Sequence, residues 1–157
     1  GRGRRETVSL DPADTNAYFE LIDDAYNANP ASMAAALEVL AASDPQEQSR
    51  QGPRRIAILG DMLELGQEEA QIHAQLAGNN HLLTLDVVHC VGPRMRACYD
   101  ALPAEIRGRW VQEAQELALG LGELIAPGDR VLVKGSLGSK VSLIVDLIRN
   151  LGHRSQP

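Results

Sequence analysis

Aromatic residues are scarce in this chain, and several other features that would point to particular partners are missing with them. Phe, Trp and Tyr make up 3% of the 157 residues, so stacking platforms for single-stranded nucleic acid are not expected. Basic residues are not in excess: 15 Lys and Arg stand against 21 Asp and Glu, a formal net charge of −6. This balance argues against a nucleic-acid partner. Since no apolar run reaches the roughly 18 residues of a membrane helix, no membrane contact is expected either.

Cysteine is also rare, and its placement favours a reduced, cytoplasmic protein. Cys90 and Cys98 form no CxxC pair, and no His/Cys group has the spacing of zinc ligands. We therefore predict no metal site in this chain. The four histidines are scattered. We expect His89 to be a hydrogen-bonded core residue and His73 to orient a nearby loop.

Short apolar runs alternate with stretches of helical periodicity, and this order predicts an α/β fold. Strands are predicted at 7–10, 18–23, 55–59, 86–91, 109–111 and 130–133, and helices at 30–42, 68–83, 93–102, 114–125 and 140–151. The strand runs are continuously apolar, as in a mostly parallel sheet covered by helices on both faces. The first segment can add an antiparallel strand at one edge.

Three polar loops follow predicted strands. They are DDAYNANP at 23–30, GDMLELG at 60–66 and KGSLGSK at 134–140. In open α/β sheets, ligands bind beyond the carboxyl ends of the strands. The three loops are therefore predicted to share one ligand-binding rim.

Each loop carries side chains suited to a ligand. Asp23 or Asp24 can accept hydrogen bonds from a ribose, and the sequence leaves open which of them does so. The Asn27 amide suits an adenine edge or a peptide group, whereas Asn29 before Pro30 fits a helix N-cap. The third loop is not a Walker A motif, but its backbone and a helix start at Lys140 can seat an anion.

Taken together, the motifs DDAYNANPASM, GDMLELG and VLVKGSLGSK resemble the C-terminal domain of the Mur ligases from about residue 2 to 151. The resemblance is strongest to the members that add D-alanyl-D-alanine to UDP-N-acetylmuramoyl-tripeptide. It implies a Rossmann-like three-layer fold and a cytoplasmic enzyme of peptidoglycan synthesis. In such an enzyme ATP phosphorylates the peptide carboxylate, and the dipeptide amine attacks the resulting acyl phosphate.

The resemblance also implies roles for individual residues. Nucleotide contacts fall to Arg2, Asp24, Asn27 and Asn29, and substrate contacts to Tyr26, Lys134, Ser136 and Ser139. Arg4 and Arg5 lie close enough to Arg2 that the register of the arginine is open. The sequence departs from the family pattern at Ala25, where Ser is expected.

The sequence contains no Walker A motif, the phosphate-binding P-loop of many ATPases. This fits the same interpretation, because the resemblance implies that ATP and Mg²⁺ are bound mainly by a central domain that precedes the C-terminal one. We therefore expect residues 1–152 to form the C-terminal domain and 153–157 a disordered tail. The other domains of the enzyme would be its partners, and the chain alone would be inactive.

Two other functions remain open. A signalling receiver domain would use Asp61 as phosphoacceptor beside Asp23, Asp24 and Lys134. A binding module without chemistry would also fit the fold.

Overall fold

A six-stranded, mostly parallel sheet forms the centre of the computed structural model, which describes residues 4–44 and 53–151. The strands, in chain order, are β1 Arg4–Ser9, β2 Tyr18–Asp24, β3 Arg55–Gly60, β4 Val87–Val91, β5 Arg107–Val111 and β6 Arg130–Lys134. Their order across the sheet is β1-β2-β6-β3-β4-β5. β1 pairs with β2 in antiparallel fashion, and the other pairs are parallel. The predicted fold class and the antiparallel edge are confirmed.

In the described part of the chain, four α-helices cover the sheet: α1 Pro30–Ala42, α2 Glu69–Leu76, α3 Met95–Ala101 and α4 Ser142–Arg149. The same residues include five short 3₁₀ helices at Gly66–Glu68, Leu82–Thr84, Ala114–Ala118, Leu121–Glu123 and Leu137–Ser139. Helices α1 to α3 pack into one hydrophobic core, whereas α4 and the 3₁₀ segment from Ala114 onward pack into a second.

Alternation along β3 shows how the sheet separates these two cores. Ile56 and Ile58 contribute to the core under α4, and Ala57 and Leu59 contribute to the core under α1 to α3. Successive strand side chains point to opposite faces, so a continuously apolar strand serves both cores. The three-layer arrangement follows from this pattern.

Helix α1 begins at Pro30, directly after the Asn29 cap, as the sequence predicts. The Asn29 side chain accepts a hydrogen bond from the Ser32 amide at 2.8 Å, and the Ser32 hydroxyl accepts one from the Asn29 amide at 3.0 Å. This reciprocal capping box satisfies two amides at the helix start, and Pro30 has no amide hydrogen to satisfy. The expected capping role of Asn29 is confirmed.

Three predicted helices are wrong in extent. The segment 114–125 forms two 3₁₀ helices instead of one α-helix, because Gly120 adopts a left-handed conformation with φ of 77°. Helix 68–83 ends at Leu76, and the Asn79 side chain then caps the amides of His81 and Leu82. The last helix starts at Ser142, since Lys140 has a φ of 61°.

Part of the sequence-based reading lies outside the described residues. This applies to Arg2 and to the predicted tail at 153–157.

Candidate functional site

The three polar loops meet at the carboxyl edge of the sheet around β6. The chain leaves β2 and β3 toward α1 and α2 on one face, whereas it leaves β6 toward α4 on the other. Because β6 lies between β2 and β3, neighbouring strands send their connections to opposite faces. Such a switch point opens a crevice in doubly wound sheets. The shared rim predicted from the sequence is present.

Two glycines allow the loops to approach one another closely. A Cβ atom at Gly60 would lie 2.6 Å from the Val141 side chain and 2.8 Å from the Ser139 hydroxyl. A Cβ atom at Gly135 would lie 2.6 Å from the same hydroxyl and 3.0 Å from the Gly60 Cα. The loop after β6 therefore packs directly on the end of β3, which only glycine permits at these positions.

A first cavity of about 810 Å³ lies beside the end of β2 and the first turns of α1. Its polar and charged lining consists of Arg5, Asp24, Tyr26, Asn27, Ser32 and Lys134, and its apolar lining of Ile22, Ala35, Ala36 and Val39. An apolar surface with a few convergent polar groups is typical of small-molecule sites.

A buried ion pair forms the charged end of this cavity. The Lys134 ammonium donates to the Asp24 carboxylate at 2.8 Å and to the Asn27 carbonyl oxygen at 2.9 Å. The two strands that carry the pair are adjacent, with Asp24 in register with Lys134. The lysine thus fixes both a carboxylate and the backbone of the following loop.

Asp23 has a different environment from Asp24. Its carboxylate accepts hydrogen bonds from Arg149 at 2.9 Å and from the Ala25 amide at 3.3 Å. Arg149 also contacts Glu6. Burial acts to lower the pKa of the Arg149 guanidinium, but Glu6 and Asp23 together outweigh burial and raise it. Asp23 therefore ties α4 to β2, while Asp24 faces the first cavity.

A second, smaller cavity of about 280 Å³ lies on the other side of the loop after β6. Its lining is mostly polar or backbone and comprises Asp61, Leu63, Gly92, Pro93, Arg94, Gln112, Glu113, Ala114, Gln115, Gly138, Ser139 and Lys140. Both signs of charge therefore border this space.

Asp61 lines the second cavity and connects the end of β3 to the start of α3. Its carboxylate accepts a hydrogen bond from the Met95 amide at 2.8 Å and one from Arg94 at 3.3 Å. Asp61 is 3% exposed, so it is not placed as an accessible phosphoacceptor. The Arg94 pKa is raised, mainly by its hydrogen bond to Glu69 and further by Asp61, with burial acting in the opposite direction.

Comparison of the sequence with models of protein families gives a match. The family model described as "Mur ligase, glutamate ligase domain" matches residues 3–137. The chain belongs to this Mur ligase family. The signalling-receiver alternative is therefore wrong.

Among curated proteins, this Mur ligase domain is similar to ligases of one named activity. It is 34% identical over 128 residues to the UDP-N-acetylmuramoyl-tripeptide–D-alanyl-D-alanine ligase of Rickettsia prowazekii, covering 80% of this chain and 26% of that protein. It is 32% identical over 134 residues to the Escherichia coli ligase of the same name, covering 84% and 27%. The chain thus spans about a quarter of the length of these relatives.

Solved structures agree with the fold. MurF from Acinetobacter baumannii superposes with a TM-score of 0.69 at 28% identity, covering 94% of this chain and 30% of that one. MurF from Thermotoga maritima in complex with ADP gives 0.74 at 20% identity, covering 99% and 32%, a likeness of fold alone.

The structure distributes the sequence-predicted site residues over distinct places. Asp24, Tyr26, Asn27 and Lys134 line the first cavity, and Ser139 lines the second. The Asn29 side chain is engaged in capping α1. The Ser136 hydroxyl is engaged with the two other loops.

Other lining residues were missed or left open by sequence reasoning. Arg5, one of three candidate arginines, lines the first cavity, whereas Arg2 lies outside the described residues. The predicted helix start at Lys140 is absent, but Lys140 lines the second cavity together with Arg94. The signal for Arg94 was available, since it follows Gly92 and Pro93 at the end of a strand.

The predicted roles of two histidines are confirmed. The His73 Nε2 atom accepts a hydrogen bond from the Met62 amide at 3.0 Å, and its Nδ1 atom lies 2.7 Å from the Glu69 carbonyl oxygen. This contact orients the 60–66 loop. His89 is buried and accepts a hydrogen bond from the Arg109 amide at 2.9 Å.

The departure from the family pattern at Ala25 is accommodated by packing. Ala25 is buried in the core under α4, and its methyl group lines neither of the two cavities.

Within residues 4–44 and 53–151, no group of three or more His, Cys, Asp or Glu side chains is placed to hold a metal ion. Over the same residues, no helix has both the length and the apolarity to cross a bilayer.

Proposed function

We propose that this chain is the C-terminal domain of a cytoplasmic, ATP-dependent ligase that joins D-alanyl-D-alanine to UDP-N-acetylmuramoyl-tripeptide. The domain closes over a nucleotide and an incoming dipeptide that the other domains of the enzyme help to hold. The observation that carries the proposal is the Asp24–Lys134 ion pair at the rim of the first cavity. The names of the relatives support the same reaction.

The first cavity fits the sugar and base of a nucleotide. The Asp24 carboxylate is an acceptor for ribose hydroxyls, and the Asn27 amide can donate to and accept from a base edge. Arg5 adds positive charge for phosphates, in the role that the family resemblance gave to Arg2. ATP supplies the phosphoryl group that activates the peptide carboxylate, and Mg²⁺ is assigned to the central domain.

This domain contributes positioning and charge stabilisation. Fixing two reactants in the right geometry can lower a barrier by about 7–11 kcal/mol in favourable cases. Closure of a domain also excludes water, which strengthens the contacts made by Asp24, Lys134 and Arg5. Since the P-loop lies elsewhere in this family, the isolated chain is expected to show no ATP hydrolysis and no ligation.

The decisive experiment compares two neighbouring aspartates in the full-length ligase. Asp24→Asn is expected to raise the KM for ATP roughly tenfold, the cost of about one hydrogen bond to a charged group. Asp23→Asn, the matched control, is expected to lower thermal stability through the Arg149 contact and to change this KM by less than about threefold.

Calorimetric titration of the 157-residue chain with ADP gives a second measurement. Weak binding that Asp24→Asn abolishes is the expected result. An unchanged KM for ATP in the Asp24 variant, or an equal effect of both variants, would contradict the assignment of the first cavity.

A further inference from the structure

Ser136 uses all of its polar atoms within the protein. Its hydroxyl accepts a hydrogen bond from the Leu63 amide at 2.9 Å and donates one to the Ala28 carbonyl oxygen at 3.3 Å. The residue is 7% exposed. A hydroxyl has one proton to donate, and here that proton points to Ala28. This differs from the substrate contact that the family resemblance implied for Ser136.

The backbone of Ser136 extends the same connection. Its amide donates to the Asp61 carbonyl oxygen at 3.0 Å, and its carbonyl oxygen accepts from the Ser139 hydroxyl at 2.5 Å. One residue of the loop after β6 is therefore bonded to the loop after β2 and to the loop after β3.

These partners belong to the walls of the two cavities. Asp61 and Leu63 line the second cavity, and Ala28 directly follows Asn27, which lines the first. The Lys134 ammonium holds the Asn27 carbonyl oxygen from the other side. The relative position of the two cavities thus depends on contacts within residues 134–136.

We infer that Ser136 is a positioning residue that holds the two cavities at a fixed distance and orientation, and that it does not bind substrate. The functional part of this inference rests on the proposed function, in which nucleotide and dipeptide must be held together. The structural part concerns one hydroxyl and two backbone groups, and it stands independently of any reaction.

Hydrogen exchange at single amides tests the structural part. In the unsubstituted chain, the Leu63 amide should be protected, as should the Met62 amide, which His73 holds. Ser136→Ala should speed exchange at Leu63 by roughly tenfold, because that amide loses its acceptor. The effect at Met62 should be several-fold smaller, and Ser136→Thr, which keeps a hydroxyl, should restore protection.

Ser142→Ala is the matched control, because Ser142 is exposed at the start of α4 on the same segment. It should leave exchange at Leu63 unchanged. Rapid exchange at Leu63 in the unsubstituted chain would overturn the inference whether or not the Ser136 variant folds. Equal acceleration at Met62 and Leu63 would also overturn it, since that pattern reports general loosening.

Kinetics of the full-length ligase test the functional part. A residue that positions both substrates should, when changed to Ala, raise the KM for ATP and the KM for the dipeptide together and lower kcat, with rescue by Thr. A rise confined to the dipeptide KM would identify Ser136 as a substrate ligand and overturn the inference. Failure of the proposed function would appear separately, as an unchanged ATP KM in the Asp24 variant.

Discussion

The Lys134 ammonium and the Asp24 carboxylate lie 2.8 Å apart but differ in their access to water. The Lys134 side chain is 3% exposed, whereas that of Asp24 is 15% exposed. The lysine is therefore the more strongly desolvated partner, and it depends more on the pair than the aspartate does. Removing one member of a buried pair costs mainly through the charge that is left behind.

This asymmetry predicts unequal effects of two substitutions on stability. Asp24→Ala leaves the ammonium with the Asn27 carbonyl oxygen alone, and a loss of about 3 kcal/mol in the free energy of unfolding is expected. Lys134→Met leaves a carboxylate that water can reach and keeps the aliphatic packing. Its expected cost is smaller by roughly 1–2 kcal/mol.

Urea denaturation of the 157-residue chain and of both variants checks this order. The double variant Asp24→Ala/Lys134→Met completes a thermodynamic cycle and isolates the pair energy. A larger cost for Lys134→Met than for Asp24→Ala would show that desolvation of the lysine does not govern the pair.

A second prediction concerns the effect of a Gly92 substitution on stability, because Gly92 packs closely against the Asp61 carboxylate. Its φ is 112°, and a Cβ atom there would lie 2.4 Å from the Asp61 carboxylate. Gly92→Ala must therefore strain the backbone and displace Asp61 from its hydrogen bond with the Met95 amide. We expect a loss of about 3 kcal/mol or more in the free energy of unfolding.

Gly66 offers a matched control for the backbone contribution alone. Its φ is 80°, and a Cβ atom there would meet nothing within 4 Å. Gly66→Ala should therefore cost only about 1 kcal/mol. The difference between the two variants, measured by thermal or urea unfolding, reports the crowding at Asp61 together with the greater backbone strain at the larger φ of Gly92. Equal costs would mean that Asp61 moves aside freely.

Some elements could be predicted from the sequence because their signals are local. Helix α1 was predicted with the bounds that the structure shows, Pro30–Ala42, since Asn29 and Pro30 mark its start by short-range contacts. The strands were predicted from apolar runs, and their ends agree within a few residues, because buried strands in parallel sheets are continuously apolar.

Segment 114–125 shows where local signals fail. Its apolar spacing fits an α-helix, but Gly120 takes a left-handed conformation, and two 3₁₀ helices result. Arg109 supports this path by donating to the carbonyl oxygens of Glu116 and Leu119. Such contacts depend on the placement of β5, which periodicity does not contain.

The sequence predicted that the three loops would share one rim, but it did not predict which residues line each of the two cavities. Strand ends indicated that the three loops would meet. Asp23 and Asp24 point to opposite faces of β2, and Asp23 lies on the face that carries Arg149, 126 positions away. That the Ser136 hydroxyl bonds to the two other loops depends on contacts at Ala28 and Leu63. Spacing in the sequence does not report such long-range hydrogen bonds.

His89 predicts how stability depends on pH. Burial, and then the positive charges of Arg109 and Arg54, lower the pKa of His89 from 6.5 to about 4. In the unfolded chain the same imidazole takes up a proton near its ordinary pKa. Between these two values the unfolded state binds more protons than the folded state. Lowering the pH from 6.5 to 4 therefore destabilises the fold through this residue.

The expected contribution of His89 is about 3 kcal/mol between pH 7 and pH 4, and His89→Asn isolates it from the carboxylates that titrate in the same range. Asn keeps an acceptor for the Arg109 amide but has no proton to gain. The free energy of unfolding of the variant, measured by urea denaturation at several pH values, should fall by that much less than that of the unsubstituted chain. Parallel pH profiles would show that the imidazole takes up its proton over the same pH range in the folded and unfolded states, and a steeper fall in the variant would show that the folded-state pKa of His89 is raised.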